Sequence, residues 1–479
     1  MLWYARFHLL DDALIHLRLA ELLLTHGFVT TNGQAVSFGT SSPVFLLLTA
    51  GLHAAIESDL TTKAISVAAY LTFVAGLVAL AWRSAALERA WWLALALATL
   101  SPMGIRWLSD GMETSLSALL ALALGITAIR AETRGSLDAL WLWLLAAAIV
   151  GTRVEAILLV LVASATMAAR SNLRGAAALA AGGATGLTIL WAIFGSILPD
   201  PALAKATGLA MPAASLAGFA TSLAGGMGFA VGLLALWLAG AAINFRTRSA
   251  ARAVILLPNL ALLALWCIVA ARGQFVQGIR HLLAPLVFMI AANAALLRAV
   301  DFRDLRARVA TAPRQALAWT VAGVIGLGFT AELVKFHAIV ESRTAAFLEM
   351  RALQLAALED AEGIAWDVGH LMYFTKAQVC DVSGVVNGRQ AAMAPESQRL
   401  ANCLQRDVEF VFVTPDNAAE LIERSGSRFA DWPVCGQYLF QNVSTTSPHF
   451  LAVAPARAAQ ICPRLRGDGS LIRATAQTM

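Results

Sequence analysis

The stretch LTTKAISVAAYLTFVAGLVALAW, residues 60–82, decides the fold class, because it is a long apolar run with one charged residue near its start. An α-helix of about 20 apolar residues crosses the hydrocarbon core of a bilayer. Further runs of this kind centre on residues 90–108, 112–130, 137–150, 153–169, 175–195, 225–243, 253–270, 280–300 and 315–334. The sequence therefore predicts an α-helical polytopic membrane protein with roughly ten spans. The run at 137–150 is short and abuts the next, which predicts a broken or steeply angled pair of helices.

The composition supports the same class. Of the 479 residues, 59% are apolar and 14% charged, and the mean hydropathy is +0.69. Soluble domains are about 45–50% apolar and about 25% charged, and a soluble chain of this composition would expose large apolar patches. The net charge of +5 comes largely from arginines clustered between apolar runs, a pattern typical of membrane loops. Disorder, nucleic-acid binding and a soluble enzyme are therefore excluded as primary interpretations.

The arginine clusters also predict the topology. They fall between alternate spans, at Arg83 and Arg89, Arg130 and Arg134, Arg170 and Arg174, Arg246 to Arg252, and Arg303 to Arg314. By the positive-inside rule, this side faces the cytoplasm. The N-terminal 50 residues, the 196–224 loop and everything after about residue 335 then lie outside. We expect an integral protein of the cytoplasmic (inner) membrane, with a transmembrane catalytic domain at 1–334 and a separate domain at 335–479.

Residues 335–479 are polar and predict a small α/β extracytoplasmic domain. Strand-like runs lie at Val408 to Val413 and at Phe450 to Val453. Four of the five cysteines fall here, namely Cys380, Cys403, Cys435 and Cys462. Four cysteines in one external domain indicate two disulfides, for which three pairings exist. Short loops between neighbours favour Cys380–Cys403 and Cys435–Cys462, and no Cys/His cluster has the spacing of a zinc site.

The segment 11–26, DDALIHLRLAELLLTH, predicts an amphipathic helix at the outer membrane surface, opened by Asp11 and Asp12. Acidic residues at a helix start complement the macrodipole and cap free N–H groups. Alternatively, one carboxylate acts as a general base on an acceptor hydroxyl. Asp12 and His16 share a helix face, and Arg18 lies on the side of Asp11. Only ten residues precede the pair, too few to span a bilayer, so we expect the natural chain to begin further upstream.

Other charged residues accompany apolar runs. Arg153 and Glu155 interrupt the stretch 137–169, where a charge at the bilayer centre costs about 2.5–3.5 kcal/mol. We favour a polar site facing a membrane cavity over a mutual ion pair or snorkelling. Asp110 and Glu113 mark an outer turn, for which a solvated turn is the alternative. The outer surface also carries the cations Lys205, Arg280 and His281. Acids and cations on one surface suit a hydroxyl nucleophile beside a lipid-phosphate leaving group.

Six stretches, in order, resemble the GT-C membrane glycosyltransferases, specifically the cell-wall terminal arabinofuranosyltransferases and their relatives. Residues 11–51 resemble that family's DDAYI, RYA, GHG and YTSPLW pattern. The other five are SDGMETSLSALL (109–120), GTRVEAILLVL (151–161), FGSILPDPALAKATG (194–208), GQFVQGIRHLLAPL (273–286) and IAWDVGHLMYFTKAQVCDVSGVVNGR (364–389). The chain departs from the family at Leu14 and Leu19, which replace aromatic residues, at Val154, which replaces a proline, and in lacking the first span.

The resemblance implies an inverting transfer of a sugar, such as the pentofuranose arabinofuranose, from a polyprenyl-phosphate donor to a glycan, lipid or protein acceptor of the cell envelope. It implies Asp12, or Asp11, as the base. The residues expected to bind the donor phosphate or substrate are Arg18, Glu113, Arg153, Glu155, Lys205, Arg280 and His281. No cofactor follows from these motifs, and a requirement for a divalent cation stays open.

Two alternatives remain from the sequence. One is a transporter or flippase of lipid-linked sugars, in which the acids would relay protons. Transporters usually contain internal repeats, which this chain lacks, and the large external domain favours the enzyme. The other is a non-catalytic GT-C relative, which the missing first span keeps open.

Overall fold

The computed structural model of the chain describes residues 1–27, 30–31, 35–36, 38–134, 136–207, 232–233, 235–239, 283–291, 293–294, 314–351, 353, 358–359, 361–441 and 446–465. These residues are mostly helical, with one small mixed sheet in the C-terminal part. The predicted combination of a helical body and a small α/β unit is therefore present.

The helical part is built from short and long apolar helices. In chain order they are α1 (Asp11–His26), the two-stranded ribbon β1 (Thr30–Thr31) and β2 (Ala35–Val36), α2 (Pro43–Ile56), α3 (Thr61–Trp82), α4 (Ala86–Thr99), α5 (Pro102–Leu108), α6 (Thr114–Arg134), α7 (Ser136–Thr152), α8 (Ile157–Ala169), α9 (Leu173–Phe194), α10 (Asp200–Thr207) and α11 (Arg314–Arg351). α1 has the predicted bounds, since acidic residues fill its first turn and Gly27, with φ +75°, ends it.

Among the described residues, α3 and α9 are long and apolar enough to cross a membrane. Four shorter apolar helices accompany them, within Pro43–Ile56, Thr114–Ala128, Asp138–Thr152 and Val154–Ala169. The predicted span at 253–270 lies wholly outside the described residues, and those at 225–243 and 280–300 lie partly outside them.

The predicted single span at 90–108 is wrong. Ser101 caps a new helix by accepting a hydrogen bond from Gly104 N, and Pro102 occupies its first turn, so α4 and α5 are separate. The predicted break near residue 150 is confirmed, because Arg153 has an extended backbone and a short 3₁₀ turn, Val154–Ala156, separates α7 from α8. The predicted domain boundary at 334/335 falls inside α11, whose 38 residues run continuously through it.

The C-terminal part contains a five-stranded mixed sheet in the order β4-β3-β5-β7-β6. Its elements are β3 (Glu362–Ala365), α12 (Gly369–Thr375), β4 (Gln378–Asp381), α13 (Arg389–Met393), α14 (Glu396–Leu404), β5 (Phe410–Val413), α15 (Pro415–Arg424), β6 (Val434–Gln441), β7 (Thr446–Val453) and α16 (Pro455–Ile461). β3 pairs in parallel with β4 and β5, whereas β7 runs antiparallel to β5 and β6. Both predicted strand runs are confirmed, because they form β5 and part of β7.

Two disulfides fix this sheet to its surroundings. Cys380 at the end of β4 is bonded to Cys403 in α14, and Cys435 in β6 is bonded to Cys462 after α16. The favoured pairing is therefore confirmed. Each bond closes a loop of similar length, with sequence separations of 23 and 27 residues.

We expect replacement of Cys380 and Cys403 together by alanine to lower the free energy of unfolding of the C-terminal part by about 2–4 kcal/mol, because the unfolded chain regains the entropy of an open loop. The measurement is denaturant unfolding of the full chain, followed by the fluorescence of its tryptophans. Peptide mapping without reductant is the companion experiment, and labelling of all four thiols by maleimide in the intact protein would contradict both disulfides.

Candidate functional site

The carboxylate of Asp11 binds the C-terminal part of the chain. It accepts hydrogen bonds from the backbone N–H groups of Gly369 and His370, each at 2.8 Å, and from Nδ1 of His370, also at 2.8 Å. Burial alone would raise the pKa of Asp11, but the hydrogen bonds and charge of His370, together with the Gly369 N–H, lower it. Asp11 therefore serves as an ionised cap for the start of α12.

Asp12 has a different environment. It is half-buried in the first turn of α1, and it lies close enough to the buried guanidinium of Arg343 to interact with it electrostatically. Its helix position places it on the face that also carries His16, one turn further on. The two aspartates therefore differ in their surroundings, because Asp11 binds the start of α12 whereas Asp12 interacts with Arg343.

α1 is not the surface helix that the sequence predicts. Eight of its residues are buried, and only its last three are exposed. α1 packs against α2, α3 and α12, because apolar side chains occur around most of its circumference and not along one stripe. The aspartate pair therefore lies at one end of an internal helix, where its surroundings are fixed by neighbouring elements.

A buried ion-pair network connects α1 to the turn immediately before α6 and to the turn after α7. Oε1 of Glu113 lies 2.6 Å from Nη2 of Arg153, and Oε2 of Glu113 lies 3.6 Å from Nε2 of His16. Nη1 of Arg153 donates to Glu155 at 2.8 Å. The side chains of Glu113 and Arg153 are 0% and 2% exposed. We call the buried residues His16, Glu113 and Arg153, together with the partly exposed Glu155, the buried network.

Burial and ion pairing decide between two sets of alternatives that the sequence left open. The solvated-turn alternative for Asp110 and Glu113 is wrong, because both side chains are buried. Arg153 and Glu155 do form the ion pair that the sequence offered as an alternative to a cavity site. Since two carboxylates already contact Arg153, the structure favours Arg153 as a residue that positions α1 and α6 over one that binds phosphate directly.

Arg18 lies away from the buried network. It pairs with Glu21 at 3.1 Å and donates to the carbonyl of Lys376 at 3.3 Å, at the far end of α12. Nζ of Lys376 in turn donates to Glu21 at 2.7 Å. The structure thus does not bring Arg18 together with Arg153, and it places Arg18 in the contact between α1 and α12.

The remaining predicted cations are only partly described. Lys205 lies in α10, although its side chain is outside what the structure describes, and Arg280 and His281 lie outside the described residues altogether. α10 itself is held beside the start of α2, because the carboxylate of Asp200 accepts from Phe38 N at 3.0 Å. The ring of Phe38 also stacks on Phe194 at a centroid distance of 4.1 Å.

Sequence reasoning missed His370, Tyr373 and Lys376, which tie α12 to the helical part. Tyr373 donates to Asp59 at 2.7 Å, so three acids of the helical part, at positions 11, 21 and 59, hold this one helix. A signal was present, since these residues belong to the stretch 364–389 that carries the resemblance. Their partners lie more than 300 residues away, and no local pattern encodes such a contact.

Gly369 is required where α1 meets α12. A Cβ atom at this position would overlap the backbone carbonyl group of Asp11, which cannot move without displacing α1. We expect Gly369→Ala to lower the free energy of unfolding by about 1–3 kcal/mol through overpacking, and to reduce any activity that depends on the aspartate pair. Thermal unfolding of the full chain measures the effect.

Gly51→Ala in α2 is the matched control, because a Cβ there meets nothing within 4 Å. In a helix, this substitution should leave stability unchanged or raise it slightly. Equal stability of Gly369→Ala and Gly51→Ala would contradict the tight contact between Asp11 and α12.

Among the described residues, no group of three or more His, Cys, Asp or Glu side chains is arranged to hold a metal ion. Comparison of the chain with protein-family models and with curated proteins found no match. Function must therefore be argued from the geometry of the site and from the motifs.

Proposed function

We propose that the chain is an inverting glycosyltransferase of the GT-C type, which transfers a sugar from a polyprenyl-phosphate donor to an extracytoplasmic acceptor. The observation that carries the proposal is the convergence of five of the six family-like stretches, four of which gather around the first, residues 11–51. These stretches are far apart in sequence, so an arbitrary resemblance would not be expected to assemble at one place.

The contacts between the stretches are specific. His16 and Arg153 both contact Glu113, which joins the stretches 11–51, 109–120 and 151–161. The ring of Phe38 stacks on that of Phe194, which joins the stretch 194–208 to the stretch 11–51. Asp11 accepts hydrogen bonds from His370, which joins the stretch 364–389 to it as well. Of the sixth stretch, 273–286, residues 273–282 lie outside the described residues.

In the proposed reaction, the carboxylate of Asp12 accepts the proton of the acceptor hydroxyl as its oxygen attacks the anomeric carbon. The bond from that carbon to the phosphate oxygen breaks, and polyprenyl phosphate departs with the electron pair. Attack opposite to the leaving group inverts the configuration. A positioned base of this kind typically contributes about 10²–10⁴-fold in rate.

We further propose that the chain spans the cytoplasmic membrane about ten times, with α1 and residues 335–479 on the extracytoplasmic side. The apolar helices α3 and α9 and the arginine-bearing connections support this topology. The two disulfides support the external placement, because such bonds persist in oxidising compartments. Donor, acceptor and bilayer are then the partners of the protein.

The test is a transfer assay with the purified full chain in nanodiscs, using a panel of polyprenyl-phosphate sugars that includes arabinofuranose. We expect turnover with one donor and inversion at its anomeric carbon, detected by NMR of the product. Binding of a donor without turnover would instead indicate a non-catalytic relative. Movement of the intact donor across proteoliposome membranes, without transfer, would indicate a transporter.

A further inference from the structure

His8, in the segment before α1, has a buried imidazole ring to which no role has been assigned. The side chain of His8 is 0% exposed, and neither of its ring nitrogens has a hydrogen-bond partner among the described residues. Buried polar groups are nearly always hydrogen-bonded, because water is not available to replace a missing partner. The ring of His8 therefore lacks a partner that its surroundings should supply.

Arg106 in α5 has the same deficiency. Its side chain is 3% exposed, its guanidinium lies over the ring of Trp107 at 4.4 Å, and its Nε and Nη1 atoms have no hydrogen-bond acceptor in the described part of the chain. A guanidinium presents its N–H donors as a planar fork that matches two oxygens of a phosphate or carboxylate. Burial of such a fork without an acceptor is costly, so an anion is the partner to look for.

The charges around His8 have one sign. The charged groups that act on its ring are Arg106, Lys63, Arg343 and His370, and all of them are cations when charged. The ammonium of Lys63 is held close by, since it donates to the carbonyl of His8 at 2.9 Å.

Carboxylates also interact with these cations. Asp110 interacts electrostatically with Lys63 and Arg106, whereas Asp11, Asp12 and Asp367 interact with Arg343. Within the described part of the chain, the charged groups that act on the His8 ring include no acid, so the potential there favours an anion.

We propose that His8 and Arg106, with the charges of Lys63 and Arg343 beside them, form a binding site for a phosphate group. The oxygens of the phosphate accept hydrogen bonds from Nε and Nη1 of Arg106 and from one ring nitrogen of His8. The site stands independently of sugar transfer, because it rests on unpaired buried donors and not on the aspartate pair. Either a free phosphate ion or the phosphate headgroup of a lipid has this chemistry.

The test is Arg106→Met, studied in the purified full chain in detergent. Methionine keeps the apolar volume of the side chain but removes its charge and its donors. We expect inorganic phosphate, titrated against KCl of equal ionic strength, to bind the wild type about 10- to 100-fold more tightly than the variant. Without phosphate, the variant should be at least as stable as the wild type, because two buried N–H donors without acceptors have been removed.

Arg399→Met is the matched control. Arg399 is also buried, but it donates to the carbonyls of Val382 and Ala394 at 2.6 Å and 2.7 Å. Its loss should lower stability and leave phosphate affinity unchanged. The proposal is overturned if wild type and Arg106→Met bind phosphate equally, or if Arg106→Met is destabilised as strongly as the control.

A second titration, with a polyprenyl phosphate in mixed micelles, distinguishes the two sources of the anion. Tighter binding of the lipid, lost in Arg106→Met, assigns the site to a lipid headgroup. Equal binding of inorganic and lipid phosphate, lost in the same variant, assigns it to the phosphate group alone. Failure of the wild type to bind either probe overturns the site, while leaving the proposed sugar transfer untouched.

Discussion

Asp12→Asn should lower the rate of sugar transfer by about 10²–10⁴-fold, with expression and donor affinity close to those of the wild type. Asparagine has the size of aspartate and serves almost as well at a helix start, so α1 should remain intact. An amide, however, cannot accept the proton of the acceptor hydroxyl. The measurement is single-turnover transfer together with donor binding, each on the purified variant in nanodiscs.

Asp11→Asn is the informative comparison, because the Asp11 carboxylate accepts three hydrogen bonds from residues of α12. We expect this variant to lose about 1.5–3 kcal/mol of stability, as is typical when hydrogen bonds to a charged group are weakened. Its transfer rate should fall less than that of Asp12→Asn. If both single variants keep near-normal turnover, the base lies elsewhere and the mechanism is wrong.

The elements that the sequence predicts well are those encoded locally. α1 has an acidic first turn and a terminal glycine, and β5 is a short run of β-branched and aromatic residues between polar segments. The favoured disulfide pairing also followed from neighbouring positions in the chain. In each case the signal lies within about 30 residues, where pattern and spacing are informative.

The errors have a physical cause as well. The apolar run 90–108 hides the start of α5, because Pro102 at a first helical turn is compatible with continuing hydrophobicity on both sides. In the sequence, Asp110 and Glu113 have the pattern of a solvated turn. In the structure, the buried carboxylate of Glu113 pairs with Arg153, which lies 40 residues later in the chain. The start of α5 is thus a local signal, Ser101 followed by Pro102, that the surrounding apolar residues obscure. The burial of Glu113, by contrast, depends on a tertiary contact that a single sequence does not contain.

The candidate site also combines residues that the sequence identifies with distinctions that depend on tertiary contacts. The motifs identified Glu113, Arg153 and Glu155, and the structure joins these three residues in one network. The motifs could not separate Asp11 from Asp12, since the distinction depends on His370, which lies 359 residues away in the chain. The different environments of the two aspartates therefore become visible only when both parts of the chain are folded together.

Arg153→Met should be among the most destabilising single substitutions in the helical part, with an expected loss of about 3–5 kcal/mol in the free energy of unfolding. Removal of the guanidinium takes the ion-pair partner at 2.6 Å away from Glu113, whose carboxylate is 0% exposed and also lies 3.6 Å from Nε2 of His16. The measurement is denaturant unfolding in mixed micelles. Glu155 is less affected, because its side chain is 31% exposed and water can solvate it.

The double variant Glu113→Gln with Arg153→Met separates a charge effect from a packing effect. Removing both members of a buried ion pair is often neutral, because no isolated charge is left in the interior. We therefore expect the double variant to recover most of the stability that Arg153→Met loses. Equal destabilisation of the single and double variants would mean that the volume of the arginine, and not its charge, holds α1 and α6 in place.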